Sequence, residues 1–374
     1  MTKMCLPDLS DWRKLANEEL HHGFHPSAMN PLSVELNAPI PMRIVGPVRI
    51  TGTLVDEEVR VPLATFESPL WPSVNRGARV SVVAGGIRAV IIDDRMTRSI
   101  LLEAPNAETA FNTVQALNQR RAELAETAHA GSRFTSFLDF HSQIVGNLMY
   151  LRFEMQTGDA AGHNMVTAAA DRLIHWILAE YPSLRYVSVS GNYCADKKAS
   201  AVNGILGRGK NVVTELLVPE KVCRRYLKTT PQRIVELNIK KNLIGTLLAG
   251  GVRSANAHFA NMLLGFYLAT GQDAANIVEG SQGIVHAECR GSELYFSATL
   301  PNVIVGSIGS GKQLLFVREN MELLGCDQPR AAGDNARRLA VIAGATVLCG
   351  ELSLMAAQTN QGELMDAHTR LERG

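Results

Sequence analysis

The chain has 374 residues, 46% hydrophobic and 20% charged, with a formal net charge of +1. That length exceeds what one hydrophobic core ordinarily fills, so two or more domains are expected. The composition is that of an ordinary soluble protein, and the near-neutral charge argues against a broad nucleic-acid or acidic-membrane surface.

Residues 1 to about 30 are polar. His21, His22 and His25 lie close together there, but no Cys or carboxylate pattern completes a metal site, and none is expected. The N-terminus carries Asp8 and Asp11 and no apolar signal region. Cys5, Cys194, Cys223, Cys289, Cys326 and Cys349 form no Cys-x-x-Cys pair, which points to free thiols and a cytoplasmic protein. A β-rich stretch follows. Residues 43–50 read as a strand interrupted by Gly46-Pro47, and 80–84, 89–92 and 100–102 as further strands. From 107 to 130 the pattern turns helical. A second helix is predicted over 164–181, with Met165, Ala169, Leu173, Trp176 and Ile177 on one face. A third covers 255–270, with Phe259, Met262, Leu263 and Phe266 on one face and Gly271 as its stop. Residues 283–300 read as a hairpin turning at Gly291-Ser292, and 335–358 as a long, largely buried helix. The apolar run 339–350 stops at Glu351, too short to cross a bilayer. Strands and helices alternate without a strict βαβ rhythm, so the expected fold class is α+β.

The segment 186–198 is the most informative. Extended Tyr186-Val187-Ser188-Val189 runs into a small-residue turn and then Asp196, Lys197 and Lys198. Adjacent ammonium groups repel, so burying them needs an anion; a solvated charged loop fits the spacing as well. Thr157-Gly158-Asp159-Ala160-Ala161-Gly162-His163-Asn164 precedes the second helix. Small residues let a ligand approach the backbone and helix-start N–H groups attract phosphate, although a plain helix cap also fits. Glu67 sits in an apolar setting, or on an exposed loop. Asp273 follows a helix C-terminus, where a carboxylate is disfavoured and needs a cationic partner. Gly306–Lys312 fits G-x-x-x-x-G-K, but Gln313 stands where a P-loop needs Ser or Thr. A lone late histidine such as His368 is usually inert.

Asn192-Tyr193-Cys194-Ala195-Asp196-Lys197-Lys198 resembles, nearly residue for residue, the substrate loop of class I 3-hydroxy-3-methylglutaryl-CoA (HMG-CoA) reductases, and further matches run in order over about residues 31–370. Residues 157–164 resemble the family's Asp-Ala-Met-Gly-x-Asn nucleotide segment, with Ala161 in place of Met; this assigns Asp159, Ala160, Gly162 and Asn164 to the cofactor. Ser132-Arg133-Phe134 matches a second nucleotide segment, where Arg suits a phosphate and Phe a planar ring. Gly306 and Gly309 belong to a Gly-rich segment that usually lacks the lysine found here at 312. The resemblance makes Glu67 the catalytic acid, Lys197 the catalytic lysine, Asp273 its holder and His368 the mobile C-terminal histidine, with Ala367 where serine is usual. It places Asn75 and Arg76 near coenzyme A, and Arg98, Ser190, Asp196, Lys198 and Lys241 on the substrate, with His258 and Asn261 as neighbours on the third helix, next to Asn256.

The implied protein is a soluble version of the catalytic portion. It would have a helical N-terminal segment (1–30), a large HMG-CoA-binding domain (31–98 and 188–374) and an inserted small ferredoxin-like NADP(H)-binding domain (99–187). The family assembles as dimers or tetramers with shared active sites, which implies a homo-oligomer without nucleic-acid or membrane partners. The implied reaction is the NADPH-dependent, two-hydride reduction of HMG-CoA to mevalonate and free CoA. Leu32-Ser33-Val34-Glu35-Leu36 departs from the family's Glu-Asn-Val-Ile-Gly, and Trp71-Pro72 replaces smaller residues, so a related acyl-CoA is an alternative substrate. Two other classes stand beside this one: a nucleotide hydrolase using Lys312, and a catalytically dead CoA-binding assembly partner. Retention of all four candidate catalytic side chains speaks against the second.

Overall fold

The structure, a computed structural model, describes residues 38–131 and 134–372. The histidines at 21, 22 and 25, the segment 1–30, the stretch Leu32–Leu36, and Ser132 and Arg133 lie outside the described residues.

Strand β1 (Met42–Thr51) pairs antiparallel with β2 (Glu57–Ala64), and the register shifts between Val45 and Val48, around Gly46-Pro47. Proline has no N–H to give the ladder, so the break falls where the sequence implies it. Helix α1 (Leu70–Val83) follows. The predicted strand at 80–84 is therefore wrong. Val80, Val82 and Val83 favour a strand locally, but Leu70, Trp71, Val74, Gly77, Ala78 and Ser81 recur at helical spacing and are buried together.

Strand β3 (Ile87–Glu103) joins the two predicted strands at 89–92 and 100–102 into one. Its first half pairs with β7 (Gly209–Val218), and its second half with β5 (Leu148–Gln156) and β6 (Arg185–Ser188). Helices α2 (Ala107–Gln119) and α3 (Arg121–His129) split the predicted helix at Arg120; β4 (Ser136–Val145) then pairs with β5. Helix α4 (His163–Glu180) buries Val166, Ala169, Ala170, Leu173, Ile174 and Ile177, so the apolar stripe is rotated slightly from the one predicted. Trp176 lies at its margin under the Arg120 guanidinium, 4.5 Å from the ring centroid.

The main sheet runs β2-β1-β3-β7-β9-β8, closed by the hairpin β8 (Ile284–Arg290) and β9 (Glu293–Val303) that the sequence predicted. Helix α5 (Phe259–Ala269) starts four residues later than expected, because Asn256 turns the chain: its Oδ1 accepts from the Phe259 N–H (3.2 Å) and its Nδ2 donates to Ser281 O (3.1 Å) and Gly283 O (3.0 Å). Asn256 and His258 thus precede the helix rather than ride on it. After α6 (Leu315–Leu323) comes α7 (Asp334–Gln358), then α8 (Glu363–Glu372). Helix α7 is long and apolar enough to cross a membrane, but 94% of its apolar window is buried inside the protein. It is the central core helix, and Glu351 is buried within it rather than ending it.

The described residues form two apolar cores. One contains α1, α5, α7 and the main sheet, including Trp71, Phe259, Phe266 and Leu352. The other contains Ile100, Leu102, Leu117, Phe140, Phe153, Leu173 and Ile177. The chain alternates between them through β3.

Helices α1 and α7 meet backbone to backbone at Gly77, where an added Cβ would lie 2.0 Å from Cys349 O. We expect Gly77→Ala to cost about 3 kcal/mol, because neither buried helix can retreat. Gly245→Ala, whose Cβ meets only Lys240 O at 3.6 Å among the described residues, should change little. Urea midpoints of the two variants check this, and equal midpoints would contradict so close a crossing.

Candidate active site

Past β6 the chain enters the loop predicted to hold substrate. Gly191 N–H donates to Ser99 O on β3 (2.7 Å), tying the loop's start to the sheet. Of the non-glycine residues with positive φ, three fall here: Asn192 (59°), Ala195 (43°) and Lys197 (54°). Each such residue costs about 1 kcal/mol or more and persists only where its surroundings over-determine it. Asn203 Nδ2 donates to Ala195 O (3.2 Å). Arg208, 1% exposed, donates to Asp196 Oδ1 (2.6 Å), Thr97 O (2.6 Å) and Thr97 Oγ1 (3.0 Å). Glu279 Oε1 accepts the Lys197 N–H at 3.2 Å.

Thus held, Lys197 places its Nζ 2.6 Å from Asp273 Oδ2, the two side chains being 39% and 44% exposed. The hydrogen bond to Asp273 raises the ammonium's pKa against a smaller opposing effect of burial. Burial alone would raise the Asp273 carboxyl, but the Lys197 bond and the Ala275 N–H hold it below its usual value. The cationic partner that helix-end electrostatics demanded of Asp273 is present. Asp273 also caps the next turn, its Oδ1 accepting from the Ala275 N–H (3.1 Å). Lys198 Nζ donates to Asp196 O (3.0 Å), and Arg98 lies between Thr167 Oγ1 (2.6 Å) and Ser190 Oγ (3.5 Å). Arg98, Ser190, Asp196, Lys197, Lys198 and Asp273 are therefore linked through one loop.

A second cluster forms around Glu67. Its N–H donates to Thr65 Oγ1 (3.0 Å) and its Oε2 accepts from Asn261 Nδ2 (2.7 Å). Asn261 Nδ2 also lies 3.5 Å from His258 Nδ1. His258 Nε2 is 2.9 Å from Gly350 O, which selects the tautomer with the proton on Nε2. Burial pushes His258 down to about 4 and Glu351 behind it up to about 7, the latter despite accepting the backbone N–H groups of Ala257 and His258. Lys241 is half-buried, its pKa lowered by burial, and donates to Asn242 Oδ1 (3.1 Å). A cavity of about 390 Å³ opens among Glu67, Arg76, His258, Asn261, Leu354 and Glu363. Arg76 bonds Glu363 Oε1 (2.5 Å), Ser353 Oγ (2.9 Å) and Ser353 O (2.5 Å). A larger cleft of about 1090 Å³ is lined by Asn75, Arg76, Arg79, Arg225 and Tyr226. Sequence reasoning missed Arg79 and Arg225; Arg79, three residues after Arg76 on the same helix, was readable as part of one basic face. Trp71 is buried and donates its Nε1–H to Leu63 O (2.9 Å), so most of its bulk serves the core, while Pro72 lines the cavity beside Glu67.

The predicted nucleotide segments also meet. Gly162, at φ 94°, caps α4, and a Cβ on Gly306 would lie 2.4 Å from Ala161 N. Ser307 N–H donates to Asp159 O (2.8 Å), next to a bridge between Ala160 and Ile308. The Asp159 carboxylate is committed elsewhere: it accepts the Gly333 and Ala336 N–H groups, both at 3.0 Å, capping α7. Asn164 is exposed in the first turn of α4, a Cβ added at Gly309 would meet nothing within 4 Å among the described residues, and Phe134 is exposed in the turn before β4. His368 falls on α8, with its side chain outside the described residues, as Ser132 and Arg133 are. Lys312 donates to Gly271 O (2.6 Å), and burial pushes it down to about 8.

An ammonium locked to a carboxylate, a second carboxylate beside an apolar cavity and an arginine-lined cleft suit an enzyme that acts on an anionic acyl substrate whose carbonyl oxygen gains charge. The hydroxymethylglutaryl-coenzyme A reductase family model matches residues 36–373, and the chain belongs to that family. It is 44% identical over 340 residues to the 3-hydroxy-3-methylglutaryl-coenzyme A reductase of Pyrococcus abyssi, covering 89% of this chain and 82% of that one. With the Methanothermobacter thermautotrophicus reductase it shares 40% over 346 residues, covering 92% and 85%. Among solved structures, the class II reductase of Streptococcus pneumoniae bound to NADPH superposes with a TM-score of 0.69 at 17% identity, over 95% of this chain and 98% of that one, a likeness of fold.

His163, absent from the predicted site, opens α4 with Nε2 3.7 Å from Asp196 Oδ1. Burial first, then the Arg208 charge, pushes it down to about 4. Its folded pKa lies below the unfolded value, so its contribution to stability is full above about 6.5 and is lost as pH falls toward 4, about 3 kcal/mol in all. Glu351, raised to about 7, tilts the profile the opposite way. The difference between wild type and His163→Gln isolates the histidine: the wild type should lose more stability than the variant between pH 6.5 and 4. Parallel urea-midpoint curves over that window would refute the burial of a neutral imidazole here.

Proposed function

We propose that this protein is an oxidoreductase that reduces HMG-CoA to mevalonate and free CoA. The Lys197–Asp273 contact at 2.6 Å carries the reading, because it fixes an ammonium in the loop that resembles the family's substrate loop. NADPH, when bound, supplies a hydride in each of two reductions. The residues fit such a cofactor. Gly306 packs so closely on the Ala160–Ala161 backbone that a Cβ would collide with it, which brings the two small-residue segments together; α4 starts there with no acidic residue in its first turn, and Ser307 Oγ and His163 Nε2 are buried without hydrogen-bond partners among the described residues. Asp159 serves by anchoring this segment to α7 rather than by touching the cofactor.

In this reading Lys197 stabilises the oxyanion that develops on the thioester carbonyl, with Asp273 orienting it and coupling it to Glu67. His368 protonates the departing CoA thiolate. Glu67, held by Asn261, gives its proton when the aldehyde becomes an alcohol. Arg98, Ser190, Asp196, Lys198 and Lys241 hold the substrate, and His258 supports Asn261 from below. Asn75, Arg76, Arg79 and Arg225 receive the phosphates of CoA. Residues 99–187 form a small ferredoxin-like nucleotide domain inserted in a large domain of 31–98 and 188–374. The order β3-α2/α3-β4-β5-α4-β6 and the antiparallel pairing β4-β5-β3-β6 support this, as does the second apolar core. The protein works in the cytoplasm as a homo-oligomer with shared sites. Support for association comes from the segment bearing Lys241, which presents Ile239, Leu243 and Ile244 to solvent along with Leu247 (81% exposed) and Leu248 (88% exposed). Such an apolar stripe gains about 1.5–3 kcal/mol per side chain when covered.

With purified protein and HMG-CoA, two NADPH should be oxidised for each CoA released, and Lys197→Ala should abolish this while melting like the wild type. Substantial turnover by that variant, or a one-to-one stoichiometry, would contradict the assignment.

His368→Gln should slow thioester reduction tenfold or more yet leave reduction of supplied mevaldehyde within about threefold of wild type, since no thiolate leaves in that step. Equal losses in both half-reactions would remove the histidine from its role.

A further inference from the structure

We propose that Glu279 is a positioning residue for Lys197, acting through the location of one carboxylate oxygen rather than through its charge. This inference rests on the function proposed above. Glu279 is fully buried on the short turn Ile277–Gly280, six residues after Asp273. Its Oε1 draws together the Lys197 N–H at 3.2 Å, Asn276 Nδ2 at 3.1 Å and, more loosely, Arg208 Nε at 3.6 Å. Its Oε2 is buried and has no hydrogen-bond partner among the described residues. Lys197 is thereby gripped at both ends by a single segment. Asp273 takes the side-chain ammonium and Glu279 takes the backbone N–H.

That double grip answers the strain at this residue. A lysine at φ 54° relaxes toward negative φ unless its amide is held, and such a rotation would swing the ammonium away from Asp273. Arg208 secures the preceding residue by its bond to Asp196 Oδ1, so the flanking peptide cannot absorb the rotation. Burial raises the Glu279 carboxyl's pKa, consistent with a site that uses an acceptor more than an anion. An oxyanion-stabilising group misplaced by about 1 Å loses much of its effect on the transition state and little of its ground-state binding.

Two variants separate oxygen position from charge. Glu279→Gln keeps an acceptor at Oε1 and loses the charge; Glu279→Asp keeps the charge and withdraws the oxygen by one C–C bond, about 1.5 Å. With HMG-CoA and NADPH, Glu279→Gln should keep kcat within about threefold of wild type. Glu279→Asp should lower kcat at least tenfold with KM for HMG-CoA within about threefold. Amide exchange in the 190–200 peptide should accelerate in Glu279→Asp and stay at the wild-type rate in Glu279→Gln. Equal behaviour of the two variants, or a larger loss in the Gln variant, overturns the proposal. Should Glu279→Asp fail to fold, Glu279→Gln still decides: a tenfold loss of kcat, or accelerated exchange of that peptide, refutes it, and wild-type values for both uphold it. A wild type that oxidises no NADPH with HMG-CoA refutes the proposed function instead, and the exchange comparison still judges the anchor.

Discussion

Two ammonium groups on neighbouring residues, Lys197 and Lys198, set the constraint that the rest of the site answers. Unit charges about 4 Å apart interact with about 4 kcal/mol at an effective dielectric of 20, enough to drive an unrestrained loop to spread them into solvent. The structure separates them by giving each its own acceptor, Asp273 Oδ2 for Lys197 and Asp196 O for Lys198. The Asp196 carboxylate is then turned to the buried Arg208 guanidinium. The Lys197–Asp273 pair is too exposed to add much stability, since such pairs contribute about 0–1 kcal/mol. Its value is orientation: an ammonium that keeps its proton and stays in one place.

That orientation reaches back into the fold through β3. The strand spends its first half in the main sheet and its second half in the other core, where it pairs with β6. The loop leaves β6 and is tied again to β3 by the Gly191–Ser99 and Arg208–Thr97 bonds. Lys197 therefore hangs from a strand common to both cores, while Asp273 and Glu279 belong to the segment after α5. The predicted nucleotide segment is pinned in the same manner. Asp159 caps α7, the central helix of the large core, so the start of α4 and the Gly306 loop have a shared support.

How much of this was legible depended on whether the signal was local. Asp273 was readable because a carboxylate after a helix C-terminus is a local anomaly that calls for a cation, and Lys197 supplies it. The β8–β9 hairpin and α7 were readable from turn chemistry and from a long apolar run. The strand expected at 80–84 failed because three valines in five residues express a β preference that the burial of Val74, Gly77, Ala78 and Ser81 on one helical face overrides. The late start of α5 turned on Asn256 bonding to Ser281 O and Gly283 O in the turn before β8, which no local pattern announces. Arg208 and Glu279 were invisible for a similar reason. Each is a charged residue in an unremarkable sequence context, and only their joint burial behind residues 196 and 197 gives them meaning.

The G-x-x-x-x-G-K stretch shows how one pattern can be spent on different physics. In a phosphate-binding loop the lysine opens a helix and keeps its ammonium free for the ligand, with a hydroxyl next to it for magnesium. Here the residue after Lys312 is Gln313, and helix α6 does not begin until Leu315. The Lys312 ammonium is bound to the carbonyl of Gly271, just past the C-terminus of α5, where a cation complements the helix dipole. Gln272 adds a second staple, its Nε2 donating to Gly306 O (3.1 Å) and its Oε1 accepting from Gly306 N–H (2.9 Å). The glycine-rich loop is thus fastened to residues 271 and 272, directly before the Asp273 that holds Lys197. Its lysine serves as a structural clamp on that turn, and the loop's two fastenings join the predicted nucleotide segment to the turn that carries Asp273, the partner of Lys197.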